Sequence, residues 1–214
     1  MSSWKNEYRS FYYENAPEPD DIVINKGSSA LLVIDIQNTY LEPDDDPNEA
    51  ARWVPFYTRM NNIVIPKTVE MVQWARVNEI EVIFARIACL KEDGRDRSLS
   101  QKKPGFNYLL MPKNSEESQI VKELSPQRDE ICVIKTTDSA LTGTNLRLVL
   151  HNMGIKTVIV AGIFTDQCVS STVRSLADES FDVLVVEDCC AAATDEIHHQ
   201  AVSYTHLTLP TIVR

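Results

Sequence analysis

Five short apolar runs rich in β-branched residues, near positions 30–36, 81–87, 130–135, 157–162 and 182–187, constrain this chain more than any other feature. Helical patterns separate them. Asn61 to Asn78 places Val64, Thr68, Met71, Val72 and Ala75 on one face, and Asn114 with Glu117 forms a capping box that predicts a second helix over 115–124. Alternation of this kind predicts an α/β fold with three layers, α/β/α, around a mostly parallel sheet covered on both faces.

The chain has 214 residues, 43% of them hydrophobic, enough for one domain with a sizeable core. Its formal charge of -10 disfavours binding to a phosphate backbone, so no nucleic-acid partner is expected. No apolar run reaches the roughly 18 residues of a membrane span, and the N-terminal MSSWKNEYRSF lacks a signal-peptide core, so no membrane partner and a cytoplasmic location are expected. The five cysteines, 89, 132, 168, 189 and 190, form no CxxC pair and read as reduced thiols, with Cys132 in the core and Cys189 and Cys190 buried at a strand end.

Three strand ends carry chemistry. Thr157 to Val169, TVIVAGIFTDQCV, runs a buried strand into a turn and delivers Cys168 to the start of a helix, where unpaired N–H groups and the helix dipole favour a thiolate. A space-filling thiol is the alternative. ALLVIDI ends near Asp35 and ICVIK on Lys135. Because ligands in open α/β sheets bind beyond the carboxyl ends of the strands, these three residues can share one pocket.

The words VIDIQN at 33–38, KTTDSALTGTNL at 135–146 and GIFTDQCVSSTVR at 162–174 resemble the three signatures of the isochorismatase-like cysteine hydrolases, over about Ser28 to Gln200. That resemblance implies a catalytic triad of Asp35, Lys135 and Cys168, a cis peptide between Ile163 and Phe164, and an oxyanion hole from the N–H groups of Phe164 and Cys168. It also implies hydrolysis of a small amide or ureide through a thioester, with Asp35 relaying the thiol proton and Lys135 lowering the thiol's pKa. Vinyl-ether hydrolysis of the isochorismatase type, or an inactive binding protein of the same fold, are the alternatives. A homo-oligomer is also implied.

Gln37, Tyr40, Arg86, Thr136 and Thr165 are the substrate-binding candidates. The nicotinamidases of this family bind a metal through Asp and His, but all four histidines here, 151, 198, 199 and 206, come late, so neither metal nor cofactor is expected. GxGxxG, GxxxxGK[ST] and GxSxG are absent.

The acidic LEPDDDP at 41–47 reads as a solvated loop rather than a cation site. The long segment 88–112, with Arg95, Arg97, Lys102 and Lys103 beside Phe106 and Tyr108, is either a lid over a polar substrate or a solvated basic patch. Domain organisation is therefore an aromatic arm at 1–27, a hydrolase domain at 28–202 and an atypical tail at 203–214. The arm, with Trp4, Tyr8, Phe11, Tyr12 and Tyr13, is expected to pack on its own domain or on a neighbouring subunit. The tail departs from the family pattern, so the sheet is expected to lack an edge element and the tail to make few core contacts.

Overall fold

The structure, a computed structural model, describes residues 11–13, 15, 22–104 and 110–203, together with the backbone of 211–213. Its sheet has six parallel strands: β1 (Ser29–Ile34), β2 (Glu81–Ile87), β3 (Ile131–Lys135), β4 (Thr157–Ile163), β5 (Asp182–Ala191) and β6 (Thr211–Val213). Their order, β3-β2-β1-β4-β5-β6, starts at the centre with β1, grows outward to β3, then returns to β4 and grows the other way. Such a reversal opens a crevice at the carboxyl ends of β1 and β4, the two strands on either side of the switch.

The central strands β1 and β4 are buried on both faces. Leu32 and Ile34 point into one apolar layer and Leu31 and Val33 into the other, and all four are buried, which is why β1 reads as an unbroken apolar run. The first layer is completed by Leu146 and Leu150 of α4 (Leu146–Asn152) and by Val173 and Leu176 of α5 (Ser170–Asp178). The second contains Phe56 of α1 (Pro47–Arg59), and Val72 and Ala75 of α2 (Ile65–Val77). A one-turn α3 (Leu99–Lys102) and α6 (Asp195–Ala201) complete the helices of the described residues. None of these helices is long and apolar enough to cross a membrane.

The expected helix over 61–78 is the second half of a longer one. Asp46 accepts a hydrogen bond from the Asn48 N–H at 2.9 Å and Pro47 occupies the first turn, so the acidic loop ends as a helix cap. Between α1 and α2, Met60–Val64 forms a π-helical turn. Pro66 has no N–H to return to the Asn62 carbonyl, and the local widening accommodates that loss.

Residues 115–124 are not a helix, despite the capping box. Apart from a single 3-10 turn at Lys122–Leu124, the segment's backbone is engaged with the exit of β1: Asn38 and Thr39 N–H groups donate to the Gln119 and Glu117 carbonyls, and Val121 N–H donates to Ile36 O. Tertiary pairing has outcompeted a local helix. Cys132 is also displaced from its expected place, since β3 is the sheet edge and its side chain is exposed; Cys189 and Cys190 are buried within β5.

The expected loss of an edge strand is corrected by β6, which pairs Thr211, Ile212 and Val213 with Val183, Leu184 and Val185 of β5. Three β-branched residues in succession suit an extended backbone, and they meet the otherwise open edge of β5. Ser203 is buried, so domain packing extends past 202. Leu207 and Leu209 of the tail, and residues 1–10, 14 and 16–21 of the arm, fall outside the described residues; Phe11 and Tyr12 are exposed.

Candidate active site

Three strand exits converge in the crevice beside β1. Asp35 follows β1 in the left-handed region, φ 54°, a conformation that Asp tolerates better than most residues, and its N–H donates to Ala85 O of β2 at 2.8 Å. Lys135 is the last residue of β3, in register with Ile87. Cys168 lies in a π-helical turn, Thr165–Val169, that follows β4 directly and leads into α5. The Ile163–Phe164 peptide before that turn is cis.

Gly162 permits this convergence. It pairs with Ile34 at φ 133°, and a Cβ there would overlap the Ile34 carbonyl oxygen and stand 2.7 Å from the Ile34 nitrogen. Any side chain would separate the two strands whose exits carry Asp35 and the cysteine turn.

Lys135 links the other two residues. Its Nζ stands 2.7 Å from Asp35 Oδ2, 3.3 Å from Cys168 Sγ and 3.1 Å from the Thr137 carbonyl, which the last two contacts meet as hydrogen bonds. The 2.7 Å contact between Lys135 and Asp35 is a buried ion pair, and the Cys168 thiol and the Ile87 N–H also face the Asp35 carboxylate. Asp35 and Lys135 have 1% and 0% of their side chains exposed.

Burial and the neighbouring charges act on all three groups. Burial raises the Asp35 carboxyl above its ordinary value, against the attraction of Lys135. For Lys135 burial acts to lower the pKa, but Asp35 and Cys168 outweigh it and the pKa is raised. Cys168 is pushed well above the usual thiol range, by burial first and by Asp35 second, with Lys135 pulling the other way. Lys135 thus lowers the thiol's pKa, as expected, while burial and Asp35 outweigh it. With Lys135 as the cation in contact with both, the balancing anion can reside on Asp35 or on Cys168. Moving the proton from sulfur to carboxylate leaves the net charge unchanged.

The predicted substrate-binding residues divide. Gln37 is fully buried, with its amide donating to Ile87 O and Ser118 O and accepting from Ile87 N–H, so it ties β1 to β2 and has little left for a ligand. Arg86 donates to Ser118 O, Ser118 Oγ and Lys113 O, holding the 113–118 loop. Thr165 is also buried and its hydroxyl lies 2.8 Å from His198 Nδ1. Thr136 uses its carbonyl to accept from Ser98 N–H. The Tyr40 ring meets Phe164 edge-on at 5.3 Å, and burial, then the charges of Asp35 and Cys168, raise its phenol well above the ordinary value.

Other residues around the crevice were not among the sequence candidates. Trp53 and Phe56 of α1 pack within 5.8 Å and 5.1 Å of Phe164, giving that ring an aromatic wall. Asp138, three residues after Lys135, accepts from the buried Gln101 amide at 2.7 Å, and its charge bears on both Tyr40 and Cys168. The KTTD word contained that signal. Glu187, His198 and His199 offer ligand atoms within 4.8 Å of one another, but both ring nitrogens of His198 are engaged and one faces the Arg59 guanidinium, an arrangement unsuited to a metal ion.

Residues 29–212 match the Isochorismatase domain. A probable inactive nicotinamidase of Arabidopsis thaliana is 30% identical over 175 residues, 80% of this chain and 84% of that protein. The ureidoacrylate amidohydrolase RutB of Pantoea ananatis is 28% identical over 202 residues, 88% of this chain and 79% of the relative. An isochorismatase-like hydrolase from Alkaliphilus metalliredigens superposes with a TM-score of 0.67 at 26% identity, covering 87% of this chain and 94% of the other. With its central parallel sheet, its crevice at the β1/β4 switch and this domain match, the chain belongs to the isochorismatase family.

Proposed function

We propose that this protein is a cysteine-dependent amidohydrolase that cleaves a C–N bond of a small amide or ureide through a thioester on Cys168. The observation that carries this reading is Lys135 in contact with both Asp35 and Cys168 inside a buried crevice. A lone buried ion pair contributes little to stability, whereas an ion pair holding a thiol beside a carboxylate has a chemical use. The ureidoacrylate amidohydrolase relatives favour a ureide or amide as the substrate class.

In the proposed cycle the Cys168 sulfur attacks the carbonyl carbon as its proton passes to Asp35. The C–S bond forms, and the carbonyl π electrons move to oxygen, where the N–H groups of Phe164 and Cys168 receive the charge. Collapse re-forms the carbonyl and breaks the C–N bond, while the proton on Asp35 moves to the departing nitrogen. Ammonia or an amine leaves a thioester. Water then gives a proton to Asp35 and attacks the same carbon; the C–S bond breaks and the sulfur recovers the proton. Lys135 stays protonated throughout, balancing the anion wherever it resides.

The wall of Phe164, Trp53 and Tyr40 suits a flat substrate, and Asp138 suits one that presents N–H donors. The test is ammonia release from biuret, ureidoacrylate, carbamoyl amino acids, nicotinamide and maleamate, with Cys168→Ala as control. Turnover of a ureide or amide that vanishes in Cys168→Ala supports the reading. Release that persists at a tenth of the wild-type rate or more contradicts it, and no release from any of them favours a binding protein of the same fold.

A further inference from the structure

Behind the cysteine turn lies a buried polar relay that the cycle above does not use. Arg59, the last residue of α1, donates from Nε to Cys190 O at 3.0 Å and from Nη2 to Glu187 O at 3.3 Å, and pairs with Asp195 at 3.4 Å. The same Nη2 stands 3.0 Å from His198 Nε2. On the other side of the ring, His198 Nδ1 is 2.8 Å from Thr165 Oγ1. His198 and Thr165 are both fully buried.

The chemistry of the groups fixes the protons. A guanidinium can only donate, so His198 Nε2 must present its lone pair to Arg59. The ring proton is then on Nδ1, where it donates to Thr165 Oγ1. Thr165 opens the turn whose fourth residue is Cys168, and the Phe164 carbonyl just before it accepts from Gln167 and Val169 N–H groups at 3.0 and 3.2 Å. Few side chains accept at one end and donate at the other across this gap. A charged residue in place of neutral histidine would face Arg59 or leave Thr165 without its donor.

We propose that His198 is a positioning residue for the nucleophile turn: Arg59 locks it as the neutral Nδ1–H tautomer, and that tautomer holds Thr165 and so the Cys168 sulfur in line with its proton acceptor. This rests on Cys168 as the nucleophile. It assigns a role in the reaction to α1 and α6, neither of which contributes a triad residue.

The test uses the full chain. In protein labelled with ¹⁵N-histidine, an imidazole with a bare Nε2 and a protonated Nδ1 should be present and should disappear in His198→Asn; an Nε2–H or doubly protonated ring at His198 would overturn the proposal. Thr165→Val removes the hydroxyl at nearly constant volume. With the best substrate from the ammonia screen, it should lower kcat by about tenfold or more at little-changed KM, the scale expected when a reacting group is slightly misplaced. Thr165→Ser should recover most of that loss, and iodoacetamide should alkylate Cys168 more slowly in the valine variant alone. A Thr165→Val enzyme with wild-type kcat and alkylation rate would overturn the positioning role while Cys168→Ala still tests the nucleophile separately. If Thr165→Val does not fold, the tautomer measurement on the wild-type chain decides.

Discussion

Asp35 and Lys135 meet at 2.7 Å with almost no exposed surface, although β2 stands between the strands that carry them. Removing one charge leaves the other buried and uncompensated, a loss of about 3 to 5 kcal/mol in comparable sites. Lys135→Met should therefore lower the unfolding free energy in urea by that order, and the Asp35→Asn/Lys135→Met double variant should recover much of it. Both should be inactive. A single variant as stable as wild type would show that the pair is not buried in solution.

The Asp35 carboxyl is raised above its ordinary 3.8 by burial, with Lys135 opposing. Because the carboxylate must be ionised to take the thiol proton, the acid limb of kcat/KM should lie above 3.8, rising with pH through the folded-state value. For stability the sign is the reverse: the folded state holds this proton more tightly than the unfolded chain. The stabilisation is fully present below pH 3.8 and is lost as pH rises through the raised value. An acid limb at or below 3.8 would contradict the charge states assigned to the site.

At Gly162, Ala should be poorly tolerated. The added Cβ meets the Ile34 backbone, and φ 133° is unfavourable for any L side chain. The expected cost is about 3 kcal/mol, combining backbone strain with the overlap. A thermal midpoint close to that of wild type would show that β1 and β4 can separate without damage.

Arg86 should behave as a structural residue. Arg86→Lys forfeits part of its charged hydrogen bonding to Ser118 and Lys113, at about 1.5 to 3 kcal/mol for each such bond lost. Denaturation should register that loss, and KM for a neutral amide should change little. A large rise in KM with unchanged stability would return Arg86 to the substrate.

The central strands were legible because doubly buried strands leave continuous apolar runs, and the meeting of Asp35, Lys135 and Cys168 was legible because they follow or end such runs. Less visible was anything decided by long-range hydrogen bonding. Asn114 and Glu117 make a good local helix start, yet the β1 exit claims the carbonyls of the segment that follows. Position at a strand end also says nothing about aim: Gln37, Arg86 and Thr165 turn inward to protein partners rather than toward a ligand. Helix α1 was hidden by its acidic cap and by Pro55, and β6 by a segment that has no periodicity of its own. His198 lies 33 residues after Thr165, and only the fold joins them.

The thioester on Cys168 is the central claim, and acid-quenched mass spectrometry tests it most directly. The wild-type protein is mixed with the best amide or ureide from the ammonia screen, quenched during turnover and digested. The peptide containing Cys168 should carry the acyl fragment of the substrate, the label should be lost on treatment with hydroxylamine, and Cys168→Ala should neither turn over nor acquire it. Sustained turnover by Cys168→Ala, with no acyl group on the cysteine peptide of the wild type, would contradict the account.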